Sequence, residues 1–558
     1  MRIVILGFLL LAACSTGSTP KDAAIDSAAV DALAVEDAPM DATRSDALER
    51  DAGTSDAAAK DSAADATSDA GEIPTNTLST THVLSWIWEK PNFGSAQVGW
   101  FRAGNYVTYG ENVEKGPGVQ PCAGQWVKVI PAGYICLGRD GTTTDLKHPS
   151  VVAARQYGAK DEPLPFAYGM SYGTKFYTHV PTPEEQKATE SDPDGWRKQV
   201  AAMHAKMSPE RRPPEFAMEP GEMPDFLADH AQAPNIMPYP IGKNALTMGY
   251  AISETRLAFV SAFEQNGRSF YLTTEHFIVP TDRIKAAKPS TFHGVELVEA
   301  GSEGVHLPLV WARFKSDKMP ATIFKATGDD VVKTDVILKE KGWAGITEKD
   351  VTIKGQRYHE LVTVPDGLEK PEEGSRYLIK TGMVTRLDAK TFTGEGLSAV
   401  YPSGIGDDDV WIDVDLSRQT AVLYRGKTPQ YATLVSTGAG GKKRSTPLGI
   451  FRVYQKHKTA RMHGDEKPPE EDEDGEGEKP YRYDDVPWIQ YINKGIALHT
   501  AFWHDGFGMP RSHGCINLSP ADAKYLFDRT LPKVPDGWHG LNASRGGFPV
   551  GTVVVIHG

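Results

Sequence analysis

Cysteine is scarce, with four residues in 558, and that excludes a disulfide-dense scaffold. Beyond the first fourteen residues there is no apolar run of the ~20 residues needed to cross a bilayer as a helix. There is no excess of positive charge either. Lys and Arg number 60 against 73 Asp and Glu, a formal net charge of −13, so nothing marks a nucleic-acid binder. Residues 15–75 alone carry 14 acidic and 4 basic side chains, a net of −10, which leaves −3 for everything else. Hydrophobic residues make up 40% and charged residues 24%, enough for a sizeable core and against global disorder. At roughly 100–200 residues per domain the length suggests three to five domains.

Residues 1–14 read MRIVILGFLLLAAC. Arg2 is a minimal positive region, 3–11 an apolar stretch, and Ala12 and Ala13 the small residues before a cleavage point, the pattern of an export signal. Leu11-Ala12-Ala13-Cys14 resembles the lipobox of bacterial lipoproteins, which implies that Cys14 is lipidated and becomes the mature N-terminus. Acyl chains on that residue would then be the only membrane contact. The alternative is an ordinary secretory signal with a chance cysteine. By the same resemblance, Ser15 after the cysteine implies the outer membrane, facing the periplasm. Residues 15–78 are an Asp/Ala/Ser/Thr tract almost without aromatics. Such a segment buries too little apolar area to offset its ordering entropy and is expected to be a disordered, charge-extended tether.

From 79 to 149 short β-type runs follow one another between Gly, Pro and Asn, at 83–88, 96–101, 105–109, 125–130 and 133–137, a spacing that predicts a small barrel. Gly99-Trp100-Phe101, Cys122-Ala-Gly-Gln-Trp126 and Gly133-Tyr-Ile-Cys136 resemble bacterial SH3-like domains. Cys122 and Cys136 fall at the ends of adjacent predicted strands in an oxidising compartment. A bridge closing that loop would contribute about 3 kcal/mol in the chain-entropy model; two free thiols are the alternative. Residues 150–407 are expected to be β-rich, with strand-like runs at 251–257, 269–272 and 377–387 and a helix at 197–207. The Pro/Glu-rich stretches 181–196 and 209–234 read as loops. Runs near His276 and His359 faintly resemble further SH3-type units, and the histidines of this region read as core or surface residues rather than ligands.

In residues 408–558 the pattern sharpens. Runs 410–416, 420–424, 431–436, 450–454 and 553–556 predict strands, and 520–529 a helix capped by Ser519. The chemistry-bearing segment contains Leu498-His499-Thr500, His504-Asp-Gly-Phe-Gly508 and Ser512-His513-Gly514-Cys515-Ile516-Asn517. With Cys14 assigned to lipid and Cys122 to Cys136, Cys515 is the odd thiol, and His499, His504 and His513 precede it within 16 residues. A thiol with a base in hydrogen-bond reach is an acyl-transfer nucleophile. Gly514 allows close backbone approach, and amides around Cys515 could face a developing oxyanion.

These motifs, with Thr446-Pro-Leu-Gly449 and Val486-Pro-Trp488, resemble the L,D-transpeptidase (YkuD-type) catalytic domain. The resemblance covers about a quarter of the chain and implies a mainly β domain with a short helix after the cysteine. It implies Cys515 as nucleophile, His499 as general base, and the Thr500 carbonyl as the group that holds the imidazole tautomer. His513, Gly514, Ser512 and Asn517 are implied to shape the pocket and bind substrate, with Ser512 also fixing the loop. Thr500 replaces a common Gly, and Asn517 a common Arg. The implied reaction takes a peptidoglycan tetrapeptide stem as donor. A second stem amine gives a 3→3 crosslink, a protein lysine at the outer membrane gives anchoring, and water gives carboxypeptidase action. No cofactor and no metal is implied. A zinc site from His499, His504, His513 and Cys515 has spacing unlike the common zinc arrangements. A non-catalytic wall-binding lipoprotein is the remaining rival. Residues 465–478 hold nine acidic side chains and one lysine, a solvated loop or an electrostatic steering device for an amine.

Overall fold

The computed structural model describes residues 76–113, 122, 124–299, 302–312, 320–441, 444–464 and 481–558. The expected signal with Cys14, nearly all of the tether and the acidic insert 465–478 lie outside the described residues. The protein is mainly β, in several sheets.

The C-terminal part is two packed sheets and a helix. One sheet runs Val295–Glu296, Thr428–Leu434, Thr420–Arg425, Val410–Asp415, Val553–His557, Gly449–Arg452, with Val410–Asp415 and Val553–His557 parallel and the other pairs antiparallel. Facing it are Gln455–His463, Arg482–Asn493, Ile496–Thr500 and Ile516–Leu518. Ile412, Val414, Leu423, Val554 and Ile556 from the first sheet meet Trp488, Ile492, Leu498, Ile516 and Leu518 from the second in one core. The period-two strand Val410–Asp415 is buried on both faces, because Trp411 on the other side joins Leu309, Trp311 and Leu387 from the middle region.

Helix Pro520–Arg529 begins where Ser519 Oγ accepts the Asp522 amide at 3.1 Å, with Pro in the first turn. Asp522 then takes Tyr431 Oη at 2.6 Å, Thr433 Oγ1 at 2.5 Å and the Gly294 amide at 2.8 Å, which ties the helix to the first sheet. At the other end the buried Lys456 Nζ donates to the Phe527 and Thr530 carbonyls at 2.6 and 3.1 Å, satisfying carbonyls at the helix end that have no intrahelical partner.

The N-terminal strands do not stand apart from this unit. Ser85–Trp88 and Gln97–Phe101 form a hairpin, and Gln97–Phe101 pairs on its other edge with Gly540–Asn542. Gly99 and Gly540 make that contact possible. A Cβ on Gly540 would stand 2.2 Å from the Trp100 ring and one on Gly99 2.5 Å from Trp538. Trp538 and Leu541 complete a core built from Leu78, Ile87, Val98, Phe101, Val107, Val127 and Ile135. Cys122 and Cys136 are joined by a disulfide buried against Trp126.

In the middle region Ala167–Ser171, Thr174–Tyr177, Thr247–Ala251, Arg256–Gln265, Arg268–Thr273, Ile278–Pro280 and Ile284–Ala286 pair antiparallel. A separate five-stranded antiparallel sheet lies between 322 and 380. Several sequence expectations are corrected here. The run 251–257 is two strand ends with a turn between them, Glu254 sitting at φ 73°. The run 377–387 is broken by a 3-10 turn at Thr381–Met383. Helix Pro193–Ala205 starts earlier than 197, at an Asp192 cap. The stretch 181–196 holds a further helix, Pro183–Thr189, closed by a Thr182/Glu185 capping box. That helix is short and mostly solvent-facing, so it leaves no apolar periodicity to read. Helix Pro149–Gln156 was likewise not expected from the sequence.

A buried polar knot joins the three regions. Asp485, held at φ 48°, accepts both Arg102 guanidinium nitrogens, Thr274 Oγ1 at 2.6 Å and Thr459 Oγ1 at 2.7 Å. Its own carbonyl accepts Tyr168 Oη at 2.9 Å. Burial works against the Asp485 carboxylate, but Arg102 and the hydroxyls hold its pKa far below the ordinary value. The pair's contribution is therefore complete above the ordinary carboxylate range and is lost as pH falls through it towards the lower folded-state value. Asp485→Asn leaves a buried guanidinium without its counter-charge and should cost about 3–5 kcal/mol. Urea denaturation at pH 7 would measure this, and the wild-type advantage should shrink between about pH 4 and 2.

Candidate active site

The site is assembled on two adjacent strands. Ile496–Thr500 and Ile516–Leu518 run parallel, with His499 opposite Asn517. Successive side chains in a strand alternate faces, so Cys515, Asn517 and His499 fall on one face. Cys515 stands where the loop enters its strand, its thiol 3.6 Å from the Gly495 carbonyl. Cys515 is the free cysteine among the described residues.

The loop before it is held from several sides. Ser512 Oγ donates to the Cys515 carbonyl at 2.5 Å and accepts the Gly514 amide at 3.1 Å. The Gly514 amide is thereby engaged, so it is not among the donors for an oxyanion. Gly514 itself sits at φ 123°, a backbone conformation that favours glycine, and its α-carbon packs close to the Ile496 side chain. Thr446 Oγ1 donates to the Gly514 carbonyl at 2.8 Å and accepts the Gly438 amide at 2.9 Å, fastening the loop to the first sheet. The main chains of Asn517 and Ser436 exchange two hydrogen bonds, at 2.9 and 3.0 Å.

His499 is buried, and its Nδ1 lies 2.9 Å from the Thr500 carbonyl. A carbonyl only accepts, so the proton is on Nδ1 and Nε2 keeps its lone pair. Burial pushes the imidazole pKa down to about 4, the Thr500 carbonyl opposing. Burial pushes the Cys515 thiol up to about 11, the Ala497 amide opposing. Near neutral pH both groups are therefore uncharged. A thiol and an uncharged imidazole thus stand on neighbouring strands.

Asn517's side-chain amide lies 3.1 Å from His504 Nε2, while His504 Nδ1 accepts the Gly506 amide at 3.2 Å. His504 is pushed down to about 4 by burial first, then by Arg511 and His499. Thr500 Oγ1 and Asn517 Oδ1 are buried without a protein hydrogen-bond partner among the described residues. His513 is exposed and stacks on Tyr481 with ring centroids 5.6 Å apart.

Sequence reasoning missed the aromatic residues that lead up to His499. Tyr481 packs on Tyr483, Tyr483 on Trp503 at 4.6 Å, and Trp503 on His499 at 5.9 Å. Arg256, from the middle region, lies over Tyr483 with its guanidinium carbon 4.2 Å from the ring centroid and 5.8 Å from that of Trp503. A single backbone pairing of Arg256 with Tyr483 brings it there. No local sequence signal links residue 256 to 483; only Trp503, beside His504, was near a motif.

Residues 409–556 match the family model for the L,D-transpeptidase catalytic domain, YkuD. The chain is 28% identical over 142 residues to the putative L,D-transpeptidase YciB of Bacillus subtilis (strain 168), a match covering 23% of this chain. It spans 64% of that relative's length. Among solved structures it is similar to the catalytic domain of an E. faecium L,D-transpeptidase, at 26% identity over 27% of this chain and 98% of that one, TM-score 0.19. An L,D-transpeptidase from Mycobacterium smegmatis matches at 17% identity over 38% of this chain and 98% of that one, TM-score 0.20.

The uncharged ground state has a direct readout. Alkylation of Cys515 by iodoacetamide, followed on the peptide that contains it, should keep accelerating from pH 6 to pH 10. A thiolate–imidazolium pair would instead give a plateau that begins on the acid side of neutrality.

Proposed function

Taking residues 409–556 as an L,D-transpeptidase catalytic domain of the YkuD type, we propose that this protein transfers peptidoglycan stem peptides through a thioester on Cys515. The observation that carries the reading is the His499 imidazole, fixed as a base by the Thr500 carbonyl 2.9 Å away, on the strand beside that of Cys515.

In this reaction the Cys515 sulfur attacks the carbonyl carbon at the L-centre of the third stem residue, and His499 Nε2 takes the thiol proton. The carbon–nitrogen bond to the terminal D-Ala then breaks, and the imidazolium returns the proton to the departing amine. A second stem's diamino acid amine attacks the thioester and gives up its proton to His499, which reprotonates the sulfur as the 3→3 crosslink forms. Because His499 is pushed down to about 4, the base remains competent until the pH falls towards that value.

The substrate side rests on the aromatic wall and its cations. Stem peptides carry several carboxylates, and Arg256 and Arg511 both act on the charge of His504. Arg256 over Tyr483 and Trp503 supports the reading that it receives a stem carboxylate. The leader that ends at Cys14 supports export and lipid anchoring at the outer membrane, with residues 15–78 as the reach from that membrane to the wall.

Intact mass spectrometry after incubation with a disaccharide tetrapeptide tests the chemistry, on the chain carrying Cys14→Ser. The wild-type site should gain the stem minus D-Ala, and Cys515→Ala should gain nothing. A folded protein with a titratable Cys515 thiol, no adduct and no product would refute the proposal. Crosslinked dimer in solution marks an amine acceptor, and free tripeptide marks water.

Arg256→Gln should raise the donor KM roughly 10–100-fold, the size of a lost charge-assisted hydrogen bond of about 1.5–3 kcal/mol, with kcat changed less than about threefold. Steady-state kinetics on the tetrapeptide against a donor with its stem carboxylates amidated would separate recognition from simple loss of packing, since the amidated donor should not notice the change.

A further inference from the structure

A second cluster of chemistry-bearing side chains lies in the middle region, far along the chain from Cys515. His179 follows the strand Thr174–Tyr177, Glu185 lies in the first turn of the helix Pro183–Thr189, and His230 ends the 3-10 helix Asp225–His230. One nitrogen from each imidazole and one carboxylate oxygen lie within 4.8 Å of one another. We propose that His179, Glu185 and His230 bind a zinc-class divalent cation, with the fourth position of a tetrahedron left to water.

The distances favour ligation over ion pairing. His179 Nε2 and His230 Nε2 stand 3.3 and 3.4 Å from Glu185 Oε1. Charge-assisted hydrogen bonds between such groups run about 2.7–2.9 Å, so both contacts are long for that purpose. A tetrahedral ion with ligands at roughly 2.0–2.1 Å has edges of about 3.3 Å, which is the separation found.

The tautomer at His179 points the same way. The Thr178 hydroxyl donates to the Ala245 carbonyl, so towards His179 Nδ1, 3.3 Å away, its oxygen is an acceptor. That sets an acceptor behind Nδ1 and directs Nε2 at Glu185 Oε1. This is the arrangement of ligating histidines, whose second nitrogen is engaged by an outer partner.

Glu185 is oriented in the same manner. Its Oε2 accepts the Thr182 amide at 2.8 Å, and that leaves Oε1 for the two imidazoles. The backbone is also bent to bring in His230, since Asp229 and His230 both lie in the left-handed region, at φ 54° and 62°. Two consecutive non-glycine residues there are costly, and the result is an imidazole packed 4.1 Å, centroid to centroid, from that of His179. Two imidazoles and one carboxylate suit zinc and disfavour magnesium, which prefers oxygen ligands. His230 remains partly open to solvent at 45% side-chain exposure, so an ion can enter. Once bound it would clip the loop 209–234 to the helix Pro183–Thr189.

The test is calorimetric titration of zinc chloride into EDTA-stripped protein in a Cys515→Ala background, which removes the thiol as a competing ligand. That protein should take up one zinc per chain at a saturable site. Adding His230→Ala or Glu185→Gln should weaken this uptake at least tenfold, with melting temperatures in EDTA unchanged. Zinc should raise the melting temperature of the Cys515→Ala protein and leave those of the two double variants in place, and magnesium should do neither. Glu185→Gln keeps an acceptor for the Thr182 amide, so it reports on ligation even where His230→Ala perturbs the loop. Equal zinc uptake by all three proteins, no saturable uptake, or magnesium binding as tight as zinc would each overturn the proposal.

Discussion

The fold depends on a buried charge pair. Asp485 and Arg102 face each other largely buried, and the groups that satisfy the carboxylate come from three parts of the chain: Arg102 from the N-terminal strands, Thr274 from the middle sheet, Thr459 from the C-terminal sheet. A buried ion pair is expensive unless every lone pair is engaged. Here the geometry that engages them also sets the mutual position of three regions. Beside it, Asp484 and Glu275 receive Arg461 and Arg482, so the same strand carries two adjacent anchors to the middle region.

The anchored strand matters because of what it leads to. Arg482–Asn493 turns directly into Ile496–Thr500, which holds His499, and its first residues supply Tyr483 to the cleft wall. Fixing residues 484 and 485 therefore fixes both His499 and the aromatic surface beside it. The parallel strand Ile516–Leu518 hangs on Ile496–Thr500 in turn, and the loop carrying Cys515 is tied to the first sheet by Thr446 and Ser436. The Thr500 carbonyl sets the His499 tautomer without a third side chain.

The middle region contributes more than spacing. Its hydrophobic residues Leu309, Trp311 and Leu387 cover the outer face of the first sheet around Trp411. Arg256 reaches the cleft wall. His276 and His359, read from the sequence as structural, are buried and bonded to the Pro234 carbonyl and Asp350 respectively. His179 and His230 differ from them, because their ring nitrogens converge on one carboxylate oxygen.

Much of the C-terminal region was legible in its sequence, and for physical reasons. Period-two runs mark strands because a pleated strand alternates its faces, and Ser519-Pro520 marks a helix start because an orphan amide needs an acceptor. The order Ser512-His-Gly-Cys515 even implied the Gly514 bend. What the sequence could not carry is any contact between residues far apart along the chain. Arg256 on Tyr483, Gln97–Phe101 on Gly540–Asn542, Asp485 under Arg102 and the meeting of His179, Glu185 and His230 all join segments whose proximity is decided by burial and close packing. Such contacts leave no local pattern, since each residue's own neighbours look like those of any strand end or surface turn. Local chemistry was thus written in the sequence, whereas the walls, the anchors and the second cluster were decided by the tertiary structure, because only packing brings distant charges and rings within a few ångströms.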